Sequence, residues 1–142
     1  MDAKARVREI LEHFSALVED GDWETAAALY AEDAVWEDRR PGLGVTVTGS
    51  SELRKLAQAI VSVGVRRMTY TLVDVRGHNL ALLRVVTDSG RDDAGFEVEQ
   101  LILVELNSED LITRTTMFRV EDVDVATQEL ELRWRQTSGE SH

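Results

Sequence analysis

An α+β fold, with helices first in the chain and a curved antiparallel sheet laid against them, is predicted by two features of the sequence. Apolar residues recur at three- and four-residue intervals through the first part of the chain, whereas from Met68 onward four runs rich in Val, Leu, Ile and Thr are separated by turn signals. Helices followed by a meander allow the sheet to wrap the helices and leave a cavity between the layers. The expected architecture is a cone-shaped roll: three N-terminal helices packed in a curved antiparallel mixed sheet enclosing a pocket, and a short C-terminal helix.

Each element follows from local pattern. Val7, Ile10, Leu11, Phe14, Leu17 and Val18 share one face, so residues 3 to 20 predict an amphipathic helix ended by Gly21. Asp22 caps a second helix whose buried side is Trp23, Ala26, Ala27 and Tyr30, and the chain turns at Glu32-Asp33 into a strand from Ala34 to Arg39. Pro41-Gly42-Leu43-Gly44 breaks that strand, and Val45 to Thr48 adds a short one. Ser50 or Ser51 caps a third helix with Leu53, Leu56, Ala57, Ile60 and Val61 on one face, stopping at Gly64. The four later strands are Thr69 to Arg76, Leu80 to Thr87, Phe96 to Leu106 and Leu111 to Val120; short links between them predict an antiparallel meander. Residues 121 to 134 predict a short final helix, and residues 137 to 142 a disordered tail after a single domain of residues 1 to 136.

Composition narrows the function classes. A chain of 142 residues, 43% hydrophobic, is long enough for one substantial core and too short for two ordinary domains. A net charge of −11 argues against partners such as nucleic acid and anionic membrane surfaces. The absence of cysteine excludes disulfides and thiolate metal sites and is compatible with a reducing cytosol, so a cytoplasmic location is expected. The amino terminus lacks the apolar core of a signal peptide, and no apolar run is long enough to cross a bilayer. His13 follows the outward side of its helix, His78 sits in a turn and His142 is the last residue, so no paired metal-ligand spacing exists and no metal is expected.

The chemistry-bearing stretch is Tyr30-Ala-Glu-Asp-Ala-Val-Trp-Glu-Asp38-Arg-Arg40-Pro-Gly, which puts a carboxylate and an arginine on a strand leaving an amphipathic helix. Together with the element order, the Gly49-Ser-Ser-Glu-Leu helix start and the closing run Leu111-Ile-Thr-Arg-Thr-Thr-Met-Phe118, it resembles the SnoaL-like branch of the nuclear-transport-factor-two-like fold, a cystatin-like α+β barrel. That branch includes ketosteroid isomerases, polyketide cyclases and many small domains of unassigned role. Glu37-Asp38-Arg39-Arg40-Pro41, Phe96-Glu97 and Glu121-Asp-Val-Asp-Val-Ala are similar to actinobacterial SnoaL-like domains, which are often attached to larger regulators or cyclases.

The resemblance puts Asp38 where ketosteroid isomerases keep their general base. It also puts Phe14 and Ile102 where that family has its tyrosine and protonated aspartate donors, and Ala57 where it has a supporting tyrosine; Tyr30 alone remains of that hydroxyl network. Ketosteroid isomerisation is therefore not expected. The Asp-Arg-Asp set of limonene epoxide hydrolases has no match either, since Arg91-Asp92-Asp93 falls in a predicted hairpin loop.

With the family's orientation of the closing strand, Arg114, Thr116 and Phe118 point into the cavity, and Thr115 and Met117 outward. By the same alternation Trp36, Asp38 and Arg40 share a face, as do Val98, Gln100, Ile102 and Val104. Asp38 and Arg114 become the candidate catalytic pair, with Phe14, Tyr30, Trp36, Arg40, Gln100, Ile102, Thr116 and Phe118 as ligand contacts. Three readings follow. One is a cofactor-independent isomerase, cyclase or dehydratase acting on a hydrophobic carbonyl-containing small molecule, with Asp38 as base. Another is a ligand-binding or dimerisation module in which Asp38 is tied to Arg40 or Arg114; the third is a structural domain with a filled pocket. The apolar Leu101 and Leu103, on the outward face, predict a homodimer through the sheet.

Overall fold

Helix α1 spans Ala3–Glu19 and puts Val7, Leu11 and Ser15, one turn apart each, on its buried side. Gly21, at φ +75°, turns the chain out of the helix while the Asp22 N–H returns to the Leu17 carbonyl at 2.9 Å, a Schellman-type ending. Asp22 then caps α2 (Trp23–Ala27) by accepting from the Thr25 N–H at 3.2 Å. The chain continues as β1 (Tyr30–Asp38), β2 (Thr46–Thr48), α3 (Ser50–Ser62), β3 (Arg67–Arg76), β4 (Leu80–Asp88), β5 (Glu97–Leu106) and β6 (Ile112–Arg119). A turn of 3-10 helix at Val120–Asp122 leads into α4 (Val123–Glu140). The computed structural model describes residues 3–39, 44–62, 67–77, 79–88 and 97–140.

Four local expectations change. β1 begins at Tyr30, which the sequence puts on the second helix, and runs through the expected turn at Glu32-Asp33. α2 is a single turn. The first turn of α3 is closed by Gly49 rather than Ser50 or Ser51, since the Gly49 carbonyl accepts from the Leu53 N–H at 3.0 Å. The last helix, 18 residues, is the longest among the described residues and includes residues 137–140, where the sequence predicts a tail. Residues 141 and 142, like Arg40 to Leu43, Gly64, His78, Arg91-Asp92-Asp93 and Phe96, lie outside the described residues.

The strands form one curved sheet in the order β2-β1-β6-β5-β4-β3. Neighbours are antiparallel except β1 and β6, which run parallel and join the early and late parts of the chain. On the inner face Val7 and Leu11 of α1 pack against Tyr70, Leu83, Ile102, Val104 and Ile112, while Leu53 of α3 packs with Ala31 and Ala34 of β1. On the outer face α4 lays Ala126 and Leu130 over Leu80, Leu82, Leu101, Leu103 and Phe118. Leu101 and Leu103 are thus covered within one chain, and the cover the sequence assigned to a second copy is supplied by α4. Among the described residues no helix is long and apolar enough to cross a membrane.

Candidate functional site

Inner and outer faces carry different chemistry, and β1 is where they divide. Side chains alternate along a strand, so Trp36 and Asp38 turn inward and Glu37 outward. Asp38 is the last residue of β1, only 4% exposed, and its backbone N–H is held by the Val45 carbonyl at 2.8 Å. Its neighbour across the parallel pairing is Met117, which in turn faces Ile102 on β5. Gln100, 7% exposed, lies two residues beyond Ile102 on the same face. Strand spacing puts its Cα about 12 Å from that of Asp38. Trp36 packs half-buried against the α3 cluster of Leu53 and Leu56.

Arg114 is not part of this face. β6 contains one extra residue: Glu105 faces Arg114 but Leu106 faces Ile112, which leaves Thr113 unpaired as a bulge. Ile112 is inward, and the bulge reverses every later side chain, so Thr115 and Met117 point inward and Arg114, Thr116 and Phe118 outward, opposite to the expectation. Arg114 is bonded to Glu37 Oε1, at 2.7 Å from Nε and 2.5 Å from Nη2. Arg133 of α4, 4% exposed, donates to Thr116 Oγ1 at 2.8 Å and to Glu129 at 3.2 Å. Arg39 reaches Glu129 at 3.2 Å and lies over the Phe118 ring. Burial would raise the Glu37 carboxyl, but the Arg114 hydrogen bond, with the charges of Arg114, Arg39 and Arg133, outweighs it and holds the group below its ordinary value. Burial lowers Arg133, helped by the charge of Arg114 and opposed by Glu129 and Glu105. This network fastens α4 to the sheet on the face opposite the one toward which Asp38 points.

The inner face also holds a group of hydroxyls that the sequence reading took only in part. Both tyrosines of the chain converge there. Phe14 meets Tyr30 edge to face at 5.6 Å between ring centroids. Burial pushes the Tyr30 phenol up to about 12, an effect countered by the neighbouring Thr115 hydroxyl. Burial also raises Tyr70, to which the charge of an ionised Tyr30 would add, so both remain protonated donors. Tyr70 contacts Met68 Sδ at 3.7 Å, and Ser15 donates to the Met68 carbonyl at 3.4 Å. Tyr70 is legible in the sequence as the alternate of Met68 and Leu72 along β3.

The structure therefore brings Asp38, Trp36, Gln100, Ile102, Phe14 and Tyr30 to one face, and separates Arg114, Thr116 and Phe118 from them. An open groove of about 410 Å³, lined by Tyr30, Glu32 and Arg54 among others, lies between α2, α3 and the start of β1, at the opposite end of β1 from Asp38. Among the described residues no group of three or more His, Asp or Glu is placed to hold a metal ion.

Several solved structures share this architecture. One is the epoxide hydrolase/cyclase-like enzyme SalBIII, described with a role in pyran ring formation in the polyether salinomycin: TM-score 0.68 and 16% identity, over 83% of this chain and 93% of that one. An inferred polyketide cyclase from Xanthomonas campestris pv. campestris aligns with TM-score 0.63 and 14% identity, over 88% of this chain and 98% of the other. A de novo designed protein with a curved β-sheet also aligns, with TM-score 0.63 and 20% identity, over 93% of this chain and 99% of the design. That a design shares the fold shows why likeness at this level carries architecture and not activity. No curated protein matches. The family model described as the SnoaL-like domain matches residues 11–127, most of the chain and every strand of the sheet, so this chain belongs to the SnoaL-like domain family.

Proposed function

We propose that the chain is a SnoaL-type enzyme that moves a proton on a neutral, hydrophobic carbonyl compound without a cofactor, as an isomerase, cyclase or dehydratase, with Asp38 as the base. The observation that carries this reading is the position of Asp38: a carboxyl group 4% exposed, at the end of a strand, on an inner face made of Trp36, Ile102 and Met117. A carboxylate at such a site can remove a proton next to a carbonyl and return it elsewhere, which is the elementary step shared by the three reaction types. Membership of the SnoaL-like domain family supports the same class. The alternative, a non-catalytic module that ties Asp38 to Arg40 or Arg114, loses Arg114 as a partner, because Arg114 is bonded to Glu37 on the other face.

Exchange of α-protons for deuterium tests this without knowledge of the natural substrate. A bicyclic ketone such as 2-tetralone is incubated in D2O and followed by proton NMR. The wild-type chain is expected to accelerate exchange over buffer by about 100-fold or more, and Asp38→Asn to return it to the buffer rate while folding normally. A wild-type chain with no effect across a panel of cyclic ketones and diketones, or a folded Asp38→Asn variant with undiminished exchange, would overturn the reading.

A further inference from the structure

The groove between α2, α3 and the first residues of β1, about 410 Å³, has the size of a small-molecule site. It lies at the end of β1 away from Asp38, and Trp36, Gln100 and Ile102 take no part in its lining. Ala27, Ala28 and Tyr30 give it an apolar side, and the edge-to-face contact with Phe14 holds the Tyr30 ring in place. Glu24, Glu32, Ser51 and Arg54 supply the polar side.

Arg54 uses only part of its hydrogen-bonding capacity. Its Nη2 is 3.1 Å from Glu24 Oε1, while its Nε, closed off from solvent, has no hydrogen-bond partner among the described residues. A guanidinium offers Nε and Nη2 side by side, a fork that holds one carboxylate by two parallel hydrogen bonds, and a buried N–H left out of such a pair is costly. Glu24 fills one arm of that fork. The pair is also a weak clip between α2 and α3, because its side chains are 42% and 80% exposed and so open an ion pair contributes little to stability. The two side chains can therefore part, and a carboxylate that meets Arg54 on both arms gains the hydrogen bond Glu24 does not supply.

The remaining charges select the ligand. Once displaced, Glu24 joins Glu32, which has no ion pair among the described residues, as a second carboxylate without a cation. In a chain of net charge −11, a simple anion entering beside two carboxylates is repelled. A ligand that carries an ammonium group as well brings the missing cation and no net charge. We infer that the groove binds a zwitterionic amino acid with an apolar side chain. Its carboxylate takes Nε and Nη2 of Arg54 in place of Glu24 and accepts from the Ser51 hydroxyl; its ammonium group pairs with the carboxylates of Glu24 and Glu32; its side chain lies on Ala27, Ala28 and Tyr30. The inference is independent of Asp38 being a base.

The test is a titration of the full, nitrogen-15-labelled chain with L-phenylalanine, followed by amide NMR. Saturable shifts are expected at Ala27, Ala28, Ser51 and Arg54, with a Kd on the order of 1 mM, and none at Gln100 or Ile102 of the inner face. 3-Phenylpropionate, which lacks the amine, and 2-phenylethylamine, which lacks the carboxylate, should each bind about 10-fold more weakly or worse. Arg54→Gln should weaken phenylalanine binding by about 10-fold, and Arg54→Lys, which keeps the charge and loses the fork, by about threefold or more. Glu24→Gln should tighten the binding of 3-phenylpropionate by about threefold, because the resident carboxylate no longer competes or repels; a mere clip between helices would not produce that change. No saturable shifts, shifts confined to the inner face, or equal binding of the three probes would overturn the inference. So would folded Arg54 variants with undiminished binding, or a Glu24→Gln variant that binds 3-phenylpropionate no better than the wild type.

Discussion

Glu37 and Asp38 are consecutive on β1 and serve opposite faces of the sheet: Glu37 is bonded to Arg114 beneath α4, and Asp38 is buried on the side of α1 and α3. One strand thereby anchors the C-terminal helix and presents the candidate base. The stability contributed by Glu37 and the chemistry assigned to Asp38 can be separated by mutation.

Glu37 gives the stability a defined acid limb. Its carboxyl is held below the ordinary 4.5 in the folded chain, so its contribution is fully present above that value and is lost as pH falls through the depressed one. Glu37→Gln should lower stability by about 2 kcal/mol at neutral pH, between the values for surface and fully buried pairs. Urea denaturation from pH 7 to pH 3, roughly the span of carboxylate titration, should show the gap between wild type and variant constant at first and closing in acid. A gap that widens in acid would mean that the sign is wrong.

Leu130 and Leu132 test the docking of α4. Leu130 is 0% exposed over the outer leucines and Leu132 is 51% exposed. Leu130→Ala should lose about 3 kcal/mol through the cavity it leaves, and Leu132→Ala less than about 0.5 kcal/mol. Equal losses from the two, measured by chemical denaturation, would show that α4 is rotated or that its outer side is covered.

Gly77 joins β3 to β4 at φ +62°, and a Cβ there would lie 2.5 Å from the Trp134 ring. Both the backbone conformation and the ring oppose any larger residue. Gly77→Ala should cost about 2 kcal/mol and change the tryptophan emission as the ring is displaced. An unaltered spectrum and melting temperature would refute this packing.

Much of the fold is readable because its signals are local. The three-and-four spacing of Val7, Leu11 and Phe14, the cap at Asp22 and the β-rich runs after Met68 each depend on a few adjacent residues, and each element forms close to its expected place. The inward set of β6 depends instead on a single inserted residue, Thr113, whose effect is visible only when β5 is laid beside it. That one residue moved Arg114 out of the candidate site and Thr115 into it. The C-terminal end of α4 is not legible in the same way, because Thr137-Ser-Gly-Glu140 has no apolar residue to continue the helical period set by Ala126, Leu130 and Trp134. Asp38, Trp36, Gln100 and Ile102 were grouped correctly on one face because no bulge interrupts β5 between Gln100 and Ile102 or β1 between Trp36 and Asp38.

The parallel pairing of β1 with β6 also governs when the site comes into existence. Glu37 and Thr116, adjacent in the sheet, are 79 residues apart in sequence, so closing this pair requires a long loop to be ordered first. On a ribosome Asp38 emerges well before β6, and the early helices can form while the inner face of the sheet is still incomplete. A nascent chain halted in the loop before Ile112 would hold the candidate base without the strand that faces it, and competence for the proposed chemistry would arrive with the last strand.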